Sequence, residues 1–397
     1  MIDHQRHSIM NPNKPVIEFN AMETLQISPN ILRWAAEQRG LSLDALVDLL
    51  GTPSKHDDFA AGKLSIAQAE KLAKKTHIPF GYFFLDTPPA TAQRGIPDLR
   101  QLPNHEPLSI DFFDVLDDVL RKQQWYQEYL QEQGAQKLNF VGKYPFKANL
   151  SAERVAADIQ NTLGITDQER KQCKNPGEFF TLFSTKAESI GILVFKNGIV
   201  KSSTRRGLSV NEFKGFAIAD PQAPVIFING KDSDAAWIFT VAHEIAHIWL
   251  GESGVSDLPP NQQKSGNNLE VYCNRVAAEL LTPKIQFLDA WEQAGEPKFD
   301  VLIKAFKVSR LVIARRALDL GKIDWTTYQK IAEASSKQKS SSGGDPYRNY
   351  PLRNSKRLTR AIVSTAMSGG IMLREAASLL NVRTDTVMEL SKRLGIR

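Results

Sequence analysis

The pentad His243-Glu244-Ile245-Ala246-His247 constrains this chain more than any other feature. It lies inside DAAWIFTVAHEIAHIWL, a stretch opened by Asp232-Ser233-Asp234 and closed by Gly251, which reads as a capped helix ending at Leu250. Positions i and i+4 stand one above the other on a helix, so two imidazoles can grip one ion from a single face. Glu244 is turned about 100° from His243, near enough to reach a water on that ion without ligating it. Zinc takes neutral nitrogen ligands, keeps a position open, and brings its water's pKa to about 7. A carboxylate alongside can accept that proton and pass it to a leaving amine. With seven histidines in the chain, a chance match is expected on the order of 0.01 times. The alternative, two histidines with no metal role, is outweighed.

Two histidines leave a ligand to find. No histidine follows His247, and Leu250 and Ser253 stand where a longer HExxHxxGxxH pattern needs Gly and His. His77 and His105 are remote in sequence. A carboxylate on the next helix, NLEVYCNRVAAELL, is the natural candidate, and Glu270 and Glu279 both lie there. Nine residues at about 100° each put these two on opposite faces, so they cannot share an ion. Glu270 shares its face with Asn274 and Ala277, whose side chains allow a close helix approach; Glu279 reads as a solvated charge. Asn274 could orient a histidine from behind. Cys273 is a further possibility, weighed against a buried inert thiol.

The rest of the chain sets the frame. At 397 residues it suits two or three units. It reads as a loose arm (1–24), a helix-turn-helix-like module (25–92), a connector with a long helix (93–150), a peptidase-like domain (151–334), a flexible linker (335–349) and a basic helical tail (350–397). GILVFKNGIV, GFAIAD and PVIFING, separated by turn signals, predict a small, largely antiparallel sheet. The fold class is α+β and mostly helical. Net charge is +6, and residues 335–397 alone carry +8. The two cysteines, Cys173 and Cys273, form no disulfide framework. The first twenty residues have no apolar h-region, and no run suits a membrane span. These features point to a cytoplasmic chain away from membranes.

RRGLSVNEFKGFAIADPQAPVIFINGKDSDAAWIFTVAHEIAHIWLG, then LEVYCNRVAAELLTP and FKVSRLVIARRALDLGKI, resemble the ImmA/IrrE family of metallopeptidases over roughly residues 190–325. ISPNILRWAAEQRGLSLDALVDLLG and IPFGYFFLDTPP resemble the Cro/repressor-type helix-turn-helix often fused to it. GIPDLRQLP sits where such fusions carry an Asp-aromatic-Arg link, with Leu99 replacing the aromatic. The resemblance implies a gluzincin-like zinc domain with His243, His247 and Glu270 as ligands and Glu244 as base. The family pattern also departs at Tyr272, which leaves the ligands intact. Family members cleave a partner repressor or are encoded beside toxins, including PIN-like ribonucleases.

Two function classes follow. In one, the chain is a zinc endopeptidase that cuts a cognate regulatory protein. In the other, it is an antitoxin or transcriptional regulator that acts by binding. A third reading makes the peptidase latent and released by nucleic acid on the basic tail. Residues 25–92 carry seven basic and seven acidic side chains, and Asp57 and Asp58 fall in the recognition-helix position. DNA binding there is disfavoured by repulsion from phosphates; the basic tail is the other candidate. Phe80, Tyr82, Phe83 and Phe84 read as core. No oxyanion donor is assignable among Tyr272, Arg275, Arg205 and Arg206.

Overall fold

Two units, Met1–Ala92 and Gln93–Arg397, divide the chain in the computed structural model. The structure describes residues 24–37, 41–50, 56–76, 78, 80–88, 96–100, 108–256, 268–336 and 353–396. The arm up to residue 23, and nearly all of the expected linker, lie outside these.

In the first unit, β1 (Thr24–Gln26) precedes α1 (Pro29–Glu37), α2 (Leu43–Leu50) and α3 (His56–Ala60); β2 (Lys63–Ser65) and α4 (Ile66–Thr76) follow. β1 and β2 pair antiparallel around Leu25 and Leu64, a ribbon too short to register as a sequence pattern. Gly62 turns the chain between α3 and β2 at φ 85°, and a Cβ there would lie 1.9 Å from the Ile27 carbonyl oxygen. Only glycine fits. Ile31, Leu32, Val47, Phe59, Leu72 and Phe83 form the interior. Asp57 and Asp58 on α3 are exposed. The expectation for the aromatic plug is corrected: Phe83 is buried, whereas Tyr82 and Phe84 are 39% and 56% exposed. The plug forms a short 3-10 helix over Phe80–Phe84, whose tight turn cannot point every ring inward.

The second unit begins with α5 (Ile110–Glu132), α6 (Ala152–Leu163), α7 (Asp167–Gln172) and α8 (Pro176–Ser189). β3 (Leu193–Asn197), β4 (Ile199–Val200), β5 (Ser203–Gly207), β6 (Gly215–Ile218) and β7 (Val225–Asn229) come next. They are followed by α9 (Asp234–Leu250), β8 (Gly254–Ser256) and α10 (Asn268–Leu281). Four more helices, α11 (Lys284–Gln293), α12 (Lys298–Phe306), α13 (Arg310–Asp319) and α14 (Trp325–Ser336), precede α15 (Lys356–Met367), α16 (Leu373–Leu380) and α17 (Thr384–Leu394). Mostly helical with small sheets, the described chain is α+β. None of its helices is long and apolar enough to cross a membrane.

The main sheet runs β3-β7-β6-β8. β6 pairs antiparallel with both β7 and β8, while β3 and β7 pair in parallel, Leu193 opposite Val225. GILVFKNGIV, read as one run, breaks at Gly198: β4 leaves the sheet to form a hairpin with β5. Both faces of the sheet are covered. Val194, Ala217, Ile226 and Ile228 meet α8 and α9 on one side. Leu193, Phe195, Phe216, Val225 and Phe227 meet α5 and α15–α17 on the other. Strands buried on both faces read as continuous apolar runs.

Residues 353–396, marked basic by composition, are therefore part of the sheet's outer layer. Leu358, Ile362, Leu380 and Leu390 share a core with Phe112 and Val115 of α5. Acidic groups on α5 and α8 meet its polar contacts. Asn381 donates to Asp118 (2.8 Å), Ser355 donates to Glu188 (2.5 Å), and Arg357 donates to the Glu188 carbonyl and the Tyr126 hydroxyl.

Candidate metal centre

The helix that carries His243 and His247 is fixed at both ends. Ser233 accepts a hydrogen bond from the Ala236 amide at its start, and Gly251 closes it at φ 74°. From Thr240 to Leu250 every residue is buried, because α9 lies between the sheet, α8 and α10. A helix apolar all round belongs in an interior, and its two histidines and Glu244 are buried with it. Against it lies α10, which presents Cys273, Ala277 and Ala278 as small buried residues. Its first turn carries Glu270, 2% exposed.

The geometry is a triangle. His243 Nε2 lies 3.0 Å from Glu270 Oε2, His247 Nε2 lies 3.0 Å from Glu270 Oε1, and the two Nε2 atoms are 3.1 Å apart. Among the described residues these three form the one group able to hold a metal ion. His243 donates from Nδ1 to Asn274 Oδ1 at 3.0 Å, since an amide oxygen accepts only. Its Nε2 is therefore a bare lone pair, facing a carboxylate oxygen in a dry interior. Buried lone pairs left facing each other are costly; a cation between them removes the cost. Zinc bonds of about 2.0–2.2 Å give tetrahedral edges of about 3.3–3.6 Å, a few tenths of an ångström longer than the observed sides. Two imidazoles and a carboxylate also match zinc's ligand chemistry. The residues fit the ion.

Electrostatics agree with this arrangement. Burial pushes His243 toward its neutral form, against the pull of Glu270. Burial raises Glu270 too, but His243 and His247 outweigh it and hold the carboxyl well below its usual range. Burial, with the Glu270 charge adding, lifts Glu244 well above it. Both Glu244 oxygens are buried with no hydrogen-bond partner among the described residues, as is His247 Nδ1. A Cβ on Gly215 would lie 2.9 Å from Glu244 Oε1, so this carboxylate is packed against the backbone of β6. Ser256, paired with Gly215 across β6 and β8, stands beside it. Sequence reasoning missed Gly215 and Ser256, because only the strand order brings them to α9.

Other expected residues sit elsewhere. Cys273 is fully buried, and burial raises its thiol well above the usual range. Glu279 faces away from the centre, but it is not solvated: it pairs with Arg316, itself 8% exposed. Tyr272 donates its hydroxyl to the Leu150 carbonyl (2.9 Å), Arg206 pairs with Asp111 and Asp114, and Arg275 and Arg205 are exposed.

Residues 187–318 match a peptidase family model described as the IrrE N-terminal-like domain. That span holds the sheet, α9 and α10. Residues 354–393 match a domain of unknown function (DUF8813), which coincides with α15–α17. No curated protein matches the chain. The central part of the chain is thus similar to metallopeptidase-like proteins of the IrrE kind.

Proposed function

We propose that the chain is a zinc metallo-endopeptidase with a gluzincin-like centre, cutting a cognate regulatory protein such as a repressor. The observation that carries this reading is the buried His243–His247–Glu270 triangle, with a further carboxylate, Glu244, held next to it. These three residues would hold zinc, which supplies a Lewis acid for an attacking water and for the scissile carbonyl. Glu244 takes the proton from the water and delivers it to the departing amine. Asn274 fixes the ring of His243, and the apolar surroundings of α9 exclude bulk water. The intact Glu244 favours hydrolysis over a structural or vestigial site, which needs no base.

Elemental analysis and co-expression test the reading. The purified chain is expected to carry about one zinc, and His247→Ala to lose it. Co-expressed with regulators encoded beside it, the wild type is expected to truncate one of them, as read by intact mass. Glu244→Gln is expected to keep zinc and leave that regulator whole. Full zinc content in His247→Ala, or the same truncation with Glu244→Gln, contradicts the proposal.

A further inference from the structure

Next to the centre, the sheet does not end at β8. Pro97–Leu99 lies along it as an extra strand, with Asp98 bridged in parallel to Val255. The Leu99 amide donates to the Val255 carbonyl (3.1 Å), and the Val255 amide donates to the Pro97 carbonyl (3.0 Å). Every outward main-chain group of Val255 is thereby used. The segment alternates as a strand does. Leu99 packs on Gly254, where a Cβ would come within 2.1 Å of Leu99 Cδ1. On the other side, Arg100 makes a two-pronged pair with Asp98 (2.8 and 2.7 Å) and donates to the Glu212 carbonyl (3.1 Å). The guanidinium is 1% exposed. Glu212 in turn accepts from the amide and hydroxyl of Ser109, which caps α5. The segment is clamped from both sides.

β8 is also the strand that reaches the centre, since Ser256 pairs with Gly215 beside Glu244. An extended polypeptide joins a sheet through main-chain hydrogen bonds to a free edge. The edge flanking Glu244 is the one Pro97–Leu99 covers, one strand spacing of about 4.8 Å away. With the segment in place, His243, Glu244, His247 and Glu270 are all 2% exposed or less.

We propose that the outer edge of β8 is the docking edge for an extended polypeptide substrate, and that Pro97–Arg100 is an internal strap occupying it. The inference rests on the endopeptidase reading for its purpose, not for its geometry. A covalently attached strap competes at a high effective concentration, so an external strand enters only when the strap is loosened. Regulation then resides in whatever releases Asp98–Arg100.

The full chain tests this with a labelled synthetic peptide spanning residues 95–103 (GIPDLRQLP) and with amide hydrogen exchange at Val255. Arg100→Ala removes the clamp; Gly254→Ala expels Leu99 without touching the ion pair, and serves if the first variant fails to fold. Exchange at Val255 is expected to rise at least tenfold in a folded variant, which takes up the peptide while the wild type does not. Zinc transfer to a chelator from the loaded variant is expected to quicken tenfold. Lys322→Ala, which removes a surface pair with Glu292 remote from the strap, is the control and is expected to change none of these. Exchange within twofold of wild type, with no peptide bound, overturns the strap. A chain that holds no zinc yet shows the peptide and exchange effects refutes the endopeptidase reading and leaves the docking edge standing.

Discussion

His243 has its Nδ1 committed to Asn274 and its Nε2 turned toward Glu270, so losing the amide frees the ring to rotate away. Asn274→Ala is expected to weaken zinc binding by about 10–100-fold, measured by chelator competition. Its thermal stability without metal should stay close to wild type, because Asn274 is only partly buried. An unchanged affinity would mean that α9 alone holds the ring. Gly215 acts from the sheet side. A Cβ there meets Thr240 Cγ2 at 2.7 Å, the Phe227 carbonyl oxygen at 2.8 Å and Glu244 at 2.9 Å. Gly215→Ala is expected to cost about 1–3 kcal/mol in denaturant unfolding; a cost near zero would show that Glu244 has room to move. At this scale the sequence revealed what local spacing governs. The imidazoles of His243 and His247 meet because they are four apart, and Glu270 and Glu279 diverge because they are nine apart. Gly215 and Ser256 join the centre through strand pairing between positions 41 apart in the chain, which no local pattern encodes.

At the scale of elements, helix ends were legible because their chemistry is local. Ser233 and Gly251 bound α9 as their residue types require, and Thr282-Pro283 follows the end of α10. α5 depends on such a cap too: Ser109 accepts from the Phe112 amide while its own amide and hydroxyl donate to Glu212. Ser109→Ala is expected to cost about 1–2 kcal/mol by chemical denaturation, and a loss of a few tenths would show that Glu212 re-forms the cap. Strand direction was not legible. Apolar runs covered on both faces carry no alternation to read, so the parallel β3–β7 pair emerges only in three dimensions. At the break, Gly198 lets two backbones approach closely: a Cβ there would lie 3.1 Å from the Gly230 carbonyl carbon and the Lys231 amide.

For the whole molecule, the layer formed by α15–α17 decides whether the sheet is sealed. Truncating after Ser336 would uncover Leu193, Phe195, Phe216 and Phe227, and burying each such side chain is worth about 1.5–3 kcal/mol. The truncated chain is expected to bind the dye ANS strongly and to lose its cooperative thermal transition; a sharp transition without dye binding would show that the layer is dispensable. Composition marked this region by its charge, yet charge counts say nothing about which acids wait on distant helices. Asp118 on α5 and Glu188 on α8 receive Asn381, Ser355 and Arg357 from it. The proposed function nevertheless rests on the His243–His247–Glu270 group between α9 and α10. X-ray absorption at the zinc edge on the full chain addresses it most directly. The expected spectrum contains two imidazole nitrogens and carboxylate oxygen at about 2.0–2.2 Å, and His247→Ala, having lost the ion, is expected to show no zinc edge. A sulfur shell at about 2.3 Å would transfer the centre to Cys273 and contradict the account, as would a chain that takes up no zinc.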